Sequence, residues 1–304
     1  MRKRNWSEYN KHLVRQGSIS FFIDSKMFRV MQHNPKSKKL KRIGRPQEFS
    51  DPLIQILLML KIRFRLPYRA LEGFAKSLFK KREVAIPSYS LICKRVESLS
   101  IELETLRSNK AITVLLDASG AKICGEGEWK VKIHGRSAPR KWVKLHLAVD
   151  AETGEIVAEC TTGATVADSS VTKRLLDQVP GKIGVVMADG AYDRSSSREV
   201  IKRRKAKALI PPPRNARYRG TDSERDQAIV AIRGLGGDKE ARSLWAKLSG
   251  YNHRVLVESV FSRKKRLFGD RLFSKRFDKQ CVENTARCVL LNQMRMEGAL
   301  PYLR

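Results

Sequence analysis

The chain has 304 residues, with 62 Lys and Arg against 31 Asp and Glu, a formal net charge of +31. Its hydrophobic fraction of 41% is enough for a packed core. The charge excess goes far beyond what solubility needs and reads as the electrostatic footprint of a nucleic-acid partner; a membrane-surface protein could also be this basic, but the chain lacks a run long enough to span a bilayer.

Residues 1–46 read as a basic N-terminal arm. Trp6, Tyr9, Leu13 and Val14 fall on one face of a short helix. From Lys26 to Arg45 there are eight Lys/Arg and no acid, a pattern that suits phosphate contact or a solvated linker. Residues 47–105 read as a helical, helix-turn-helix-like DNA-binding domain. Its first helix takes Asp51 as N-cap and Pro52 at the first helical position, then runs through Leu53, Ile54, Leu57, Leu58 and Ile62. The aliphatic run Leu53 to Leu60 is broken by Gln55 and is too short to span a bilayer. A second helix carries Tyr68, Leu71, Phe74, Ala75 and Leu78. A third carries Leu91, Ile92, Val96 and Leu99, with Tyr89, Lys94 and Arg95 on its polar side. Such a trio with a basic last helix suits DNA, and Lys94 and Arg95 are its candidate contacts.

From residue 106 onward the pattern is that of an α/β domain. Ala111 to Leu116 is an apolar run ending at Asp117, and 129–134 and 142–149 alternate as strands. The segment 150–155 suits a turn. A helix follows from Asp168, which suits its N-cap. A second buried strand, Ile183 to Ala188, ends at Asp189. Then come a basic helix (194–205), a short strand (208–210) and the stop Pro211-Pro-Pro213. Strands interleaved with helices imply a sheet that is at least partly parallel. Residues 211–250 read as an insertion with two helical patterns split by Gly234-Leu-Gly-Gly237, and a last helix spans 279–297.

Between them, at 251–265, lies the segment that organises the chemistry. At 100° per residue, Tyr251, Arg254, Glu258 and Lys265 fall within about 60° of one another on a polar stripe. Val257, Val260, Phe261 and Phe268 lie opposite, as burial requires. Taken by itself, the stripe could be a surface helix with an i,i+4 Arg254–Glu258 pair. Two upstream acids change its meaning. Asp117 and Asp189 each sit where a buried strand ends, the place where α/β sheets build sites. Two aspartates joined by Glu258 give a cluster of oxygen ligands that repel one another without a cation. They suit one or two hard divalent ions, which can serve phosphodiester chemistry. Asp193 and Asp150 are competing acids. The five cysteines are widely spaced without a CxxC pair, which points to reduced thiols and not to zinc. No apolar stretch follows the basic N-terminal residues, so no signal peptide is expected.

The spacing Tyr251-x₂-Arg254-x₃-Glu258-x₆-Lys265 resembles the C-terminal signature of bacterial insertion-sequence transposases of the DDE type, closest to the insertion-sequence-five group. Leu115-Leu-Asp117-Ala-Ser119 is similar to the family's first aspartate block, and Asp189-Gly-Ala-Tyr-Asp193 to its second. Gly125 to Trp129, His134-Gly135, Trp142 to Asp150 and the tail residues Leu267-Phe-Gly269, Gln280, Glu283, Asn292 and Met294 resemble it too. Ala118 departs from the Thr or Ser expected after the first aspartate. The resemblance implies an RNase H-like catalytic domain over 106–304, with Asp117, Asp189 and Glu258 as metal-binding triad for two Mg²⁺ (Mn²⁺ substituting). It also implies Tyr251, Arg254 and Lys265 as DNA contacts, double-stranded transposon-end and target DNA as partners, a homodimer in the DNA complex, and a cytoplasmic, nucleoid-associated bacterial protein. Non-cleaving DNA binding and a water-only nuclease are the alternatives.

Overall fold

A computed structural model of the chain describes residues 6–17, 48–82, 84–103, 105, 110–123, 142–221 and 223–297. The basic run 26–45, the expected strand 129–134 and the motif residues Gly125 to Gly135 lie outside these. The chain divides into two compact units, one of residues 1–102 with 274–304, the other of residues 103–273.

The first unit opens with helix α1 (Trp6–Gln16) and the trio α2 (Asp51–Phe64), α3 (Tyr68–Phe79) and α4 (Tyr89–Val96). Helix α2 is buried nearly all round, from Leu53 to Ile62, so it forms the centre of this unit. Its N-cap is Ser50, whose hydroxyl accepts from Leu53 N at 3.4 Å, and not Asp51. The correction is one residue: Asp51 and Pro52 both fit the first turn, where a hydroxyl before them is free to cap. The tight turn of the trio, Arg65–Pro67, lies between α2 and α3, and residues 80–88 separate α3 from α4.

The second unit is built on a five-stranded sheet of order β3-β2-β1-β4-β5. Its strands are β1 (Ile112–Lys122), β2 (Trp142–Asp150), β3 (Ile156–Gly163), β4 (Ile183–Met187) and β5 (Lys207–Leu209). The first three pair antiparallel; β4 and β5 add parallel to β1. The sheet is mixed and interleaved with helices, as the alternation of strands and helices in the sequence implied. One face is covered by α5 (Thr172–Gln178) and α6 (Ser195–Arg203), where Val114, Leu116, Leu175, Leu176, Val186 and Ile201 share a core. Burying side chains of this size contributes roughly 1.5–3 kcal/mol each. Side chains alternate along a strand, so Leu115 and Asp117 face the other way. There lies α9 (Val255–Phe268), packed on β1 after the insertion helices α7 (Glu224–Gly234) and α8 (Lys239–Leu248).

Two sequence readings change here. Asp117 does not end its strand, because β2 pairs with β1 as far as Lys122. It does lie beyond the reach of β4, whose last rung is Leu115–Met187. Asp168 is not an N-cap: Ala167 holds that position, and the Asp168 carboxylate takes Lys144 Nζ at 3.1 Å.

The closing helix α10 (Phe277–Glu297) packs with α2 and α1 in the first unit, not at the end of the catalytic domain as its sequence position suggested. The grouping follows from its inner side. Ala286, Leu290 and Leu291 are buried there with Arg287, whose guanidinium donates to Glu283 at 2.6 Å. Among the described residues no helix is long and apolar enough to cross a membrane.

A buried histidine gives the sheet a pH response. His146 is fully covered, and its Nε2 pairs with Thr162 Oγ1 at 2.8 Å. Burial pushes the imidazole down to about 4, against the pull of Asp168. The folded form therefore keeps His146 neutral, and the unfolded chain binds its proton first. Stability from this group is full above pH ~6.5 and is lost as pH falls towards 4, by up to about 3 kcal/mol. Urea midpoints between pH 7.5 and 4.5 should fall less steeply for His146→Gln than for wild type; equal slopes would refute this assignment.

Candidate active site

The site is assembled by the anchoring of α9 at both ends. Gly250, at φ 76°, turns the chain out of α8 into a 3₁₀ turn at Tyr251–Arg254, and α9 continues from Val255. The Tyr251 hydroxyl donates to the carbonyl of Ala188 at 3.2 Å, and its ring packs on Trp245 at 5.8 Å. The start of the segment is thereby fixed to the end of β4, one residue before Asp189. At the other end Gly269 closes α9 with its N–H on Lys265 O at 2.8 Å and a φ of 82°. The chain then pairs with the end of β1: Lys122 N donates to Asp270 O at 3.1 Å, and Leu272 N to Lys122 O at 2.8 Å. Between these ties Val257, Val260, Phe261 and Phe268 are buried, the face the sequence predicted.

Glu258 and Asp117 are brought onto one cation. Arg254 Nη2 donates to Glu258 Oε1 at 2.6 Å, and Arg254 Nη1 lies 3.4 Å from Asp117 Oδ2. Asp117 and Asp189 stand two residues beyond the last paired rung of neighbouring parallel strands, which sets them on the same face. Asp189 Oδ1 accepts from Ala191 N at 3.0 Å and so caps its own turn. Burial pushes the Asp117 carboxyl above its usual range. The Ala118 amide and Arg254 pull it down, and the negative charges of Asp189 and Glu258 push it up again. Burial works against the charge on Arg254, but Tyr251, Asp117, Glu258 and Asp189 outweigh it and raise its pKa. The Tyr251 phenol is pushed up to about 12, chiefly by burial, so it stays a donor at neutral pH.

The other expected residues have mixed placements. Lys265 is exposed and lies beside Ser119 and Gly120, just beyond Asp117 on β1. Lys94 is exposed. The Arg95 guanidinium donates to Phe49 O at 3.1 Å and pairs with Asp51, which ties α4 to the start of α2. The competing acids have structural partners. Asp150 accepts from Glu152 N and Thr153 Oγ1 in the turn after β2. The carboxylate of Asp193, only 2% exposed, is clamped by Arg198 Nε at 2.7 Å and Arg225 Nε at 3.0 Å. Asp193→Ala should cost about 3 kcal/mol or more in urea unfolding, because it leaves two half-buried cations unpaired. A loss under about 1 kcal/mol would contradict that role.

Sequence reasoning missed Tyr192. It is 1% exposed, its hydroxyl has no hydrogen-bond partner among the described residues, and burial next to Asp168, Asp117 and Asp189 raises its pKa. Its place in the loop between Asp189 and Asp193 was the available signal. This buried phenol keeps its proton and adds an uncharged group to the core under the Asp189–Asp193 loop.

Three carboxylates give oxygen donors of the kind hard divalent ions take. Among the described residues, however, no three acid, His or Cys side chains stand close enough together to hold an ion. The guanidinium of Arg254 takes the place between Asp117 and Glu258 instead. The donor chemistry fits a metal, and the arrangement is one in which a protein cation balances the acids.

Residues 108–293 match the family described as Transposase DDE domain, and residues 14–126 match a second family of the same description. The chain belongs to the transposase DDE-domain family. Among solved structures it is similar to the Mos1 transposase paired-end complex with left transposon end, at 12% identity and a TM-score of 0.24. That alignment covers 56% of this chain and 61% of that one, so this chain spans less than two thirds of that relative. It is also similar to the Drosophila P element transposase strand transfer complex, at 11% identity and a TM-score of 0.33, covering 88% of this chain and 69% of that one. The Mos1 mariner paired end complex with Mn aligns at 12% identity and a TM-score of 0.23, over 92% of this chain and 87% of that one.

Proposed function

We propose that this DDE transposase binds the terminal inverted repeats of its own element, cuts the DNA there and joins the freed ends to target DNA at one site. The observation that carries the reading is the convergence of Asp117 and Glu258, from elements far apart in the chain, on one cation beside Asp189. A buried acid cluster that only served the fold would carry a fixed counter-ion in dry surroundings. Here Glu258 is 54% exposed on its side chain, so the cluster is open to a ligand.

Asp117, Asp189 and Glu258 would hold divalent cations, Mg²⁺ first and Mn²⁺ in its place. Such ions supply charge stabilisation at phosphorus and an activated oxygen nucleophile. The chain's own groups do the rest. Arg254 exchanges its carboxylate partners for a DNA phosphate, and Lys265 adds a second phosphate contact further along β1. Tyr251 positions Asp189 through the Ala188 carbonyl. In the helical unit, exposed Lys94 meets the backbone of end DNA; Arg95 does not. Since α4 follows a long connection, base reading by the trio has to be located by footprinting. Two ends handled together require a dimer of the protein on DNA.

The test is direct. Purified protein is incubated with inverted-repeat DNA and Mg²⁺, beside Asp117→Ala. Joined products from wild type alone support the reading; no joining, or equal products from both proteins, defeats it. Nicking without joining would favour the water-only nuclease.

A further inference from the structure

A second surface of a different kind begins in the loop that follows Asp189. A groove of 1140 Å³ runs between α6, β5 and the start of α7, and it begins at Asp193, in the same loop as Asp189. Five cations line it and stand exposed: Arg194, Lys202, Lys205, Lys207 and Arg219. Among the described residues none of the five is paired with an acid. The groove's other arginines, Arg198 and Arg225, are locked onto Asp193. Its buried acid, Asp226, is turned inward, with its carboxylate taken by Thr221 and by the N–H groups of Arg219 and Thr221. Only Glu199 and Glu224 remain to oppose the five, and Glu199 leans on Arg203 at 3.9 Å.

The backbone gives an independent observation. The turn from α6 into β5 passes through Lys205 at φ 55°, the left-handed region that L side chains seldom adopt. A glycine would meet that geometry without strain. The turn holds a lysine there, and its ammonium is delivered to the groove. Such strain points from an outlier to a functional role when a ligand would use the residue.

We propose that this groove holds the phosphate backbone of duplex DNA without reading its bases, and so receives target DNA rather than the element's ends. The inference rests on the transposase reading above. Its sequence indifference follows from the lining: the cations come from the flank of one helix, a strand start and a loop. The five are spread over a helix, a turn, a strand and a loop rather than set along one helix or ribbon that enters a groove, and three of them are lysines, point charges that position DNA without specifying it. The groove's first lining residue, Asp193, shares its loop with Asp189, which links the groove along the chain to the acids that would join an end to the duplex.

The experiment measures equilibrium binding of the full-length protein to a duplex of random sequence, without divalent metal, across a salt series. The comparison is the triple variant Lys202→Gln, Lys205→Gly and Lys207→Gln. Removing three phosphate contacts should weaken random-duplex binding about tenfold or more and reduce the slope of log K against log salt by about 2 to 3. Lys205→Gly by itself should weaken binding without lowering the melting temperature, since it relieves the left-handed strain; this separates lost charge from lost fold. Unchanged affinity and slope in the triple variant overturn the proposal. So does a loss confined to single-stranded RNA, or full competition by inorganic tripolyphosphate at equal charge concentration, which would make the groove a general anion sink. An equal loss on inverted-repeat duplex, with no loss on random duplex, would assign the groove to the ends and overturn it as well. Because random-duplex binding needs no metal and no end sequence, failure of catalysis leaves this result standing, and the reverse also holds.

Discussion

Glu258→Gln should lower end cleavage and joining by about a thousandfold or more, with the fold intact. The substitution keeps the shape of the side chain and removes its charge. What it removes from stability is small. The Arg254–Glu258 pair has the cation N-terminal to the acid, the weaker order, and Glu258 is 54% exposed, so the pair contributes roughly 0.3–0.5 kcal/mol. A thousandfold loss of rate corresponds to about 4 kcal/mol of transition-state stabilisation. The gap between those two magnitudes decides the interpretation: no loss of folding from this exposed position could account for the rate. Cleavage of inverted-repeat DNA in Mg²⁺ and a thermal melt, run on the same preparation, check both halves. A variant that cleaves within tenfold of wild type would remove Glu258 from the site.

The contrast between Glu258 and its neighbours shows what a local pattern can carry. The buried face of α9 was legible because Val257, Val260, Phe261 and Phe268 follow a 3.6-residue period. Tyr251 was placed on the polar stripe by the same period, but residues 251–254 wind as a 3₁₀ turn with about 3 residues per turn. The change of phase delivers the Tyr251 hydroxyl to the Ala188 carbonyl. Asp117 was read as a strand end because the apolar run stops there. The strand continues through Ala118-Ser-Gly-Ala-Lys122 on hydrogen bonds from β2, and a partner's register is not written in the strand's own residues. That same register sets Asp117 and Asp189 side by side: both lie beyond the last β1–β4 rung, so their placement does not depend on where β1 ends. The partners of Arg95 were illegible for a related reason. Its position on the polar side of α4 was right, but its partners, Phe49 and Asp51, sit over forty residues away in the chain, and only tertiary packing reveals them. The grouping of α10 with α2 is of the same long-range kind.

The identity of the cation between Asp117 and Glu258 leads to the second large effect. Arg254 is tethered where the acids need positive charge, so a divalent ion has to compete with it. Its hold is not a dry, permanent ion pair, because it is 19% exposed and Glu258 more so. Arg254→Ala should therefore bind Mn²⁺ more tightly than wild type in the absence of DNA, by about tenfold, or 1.4 kcal/mol. The physical cause is that Asp117, Asp189 and Glu258 are left with only their mutual repulsion, which the added ion relieves. With DNA present the order should reverse. In wild type a phosphate should draw Arg254 off the carboxylates, so DNA should raise Mn²⁺ affinity, and by linkage Mn²⁺ should raise DNA affinity by the same factor. In the variant that coupling should shrink towards zero, and joining activity should fall although the metal binds well. Calorimetric titration with Mn²⁺, with and without inverted-repeat DNA, measures all four affinities of the cycle. If Arg254→Ala binds Mn²⁺ no more tightly than wild type without DNA, Arg254 is not the ion's competitor, and its contacts with Asp117 and Glu258 serve only to hold α9 against β1.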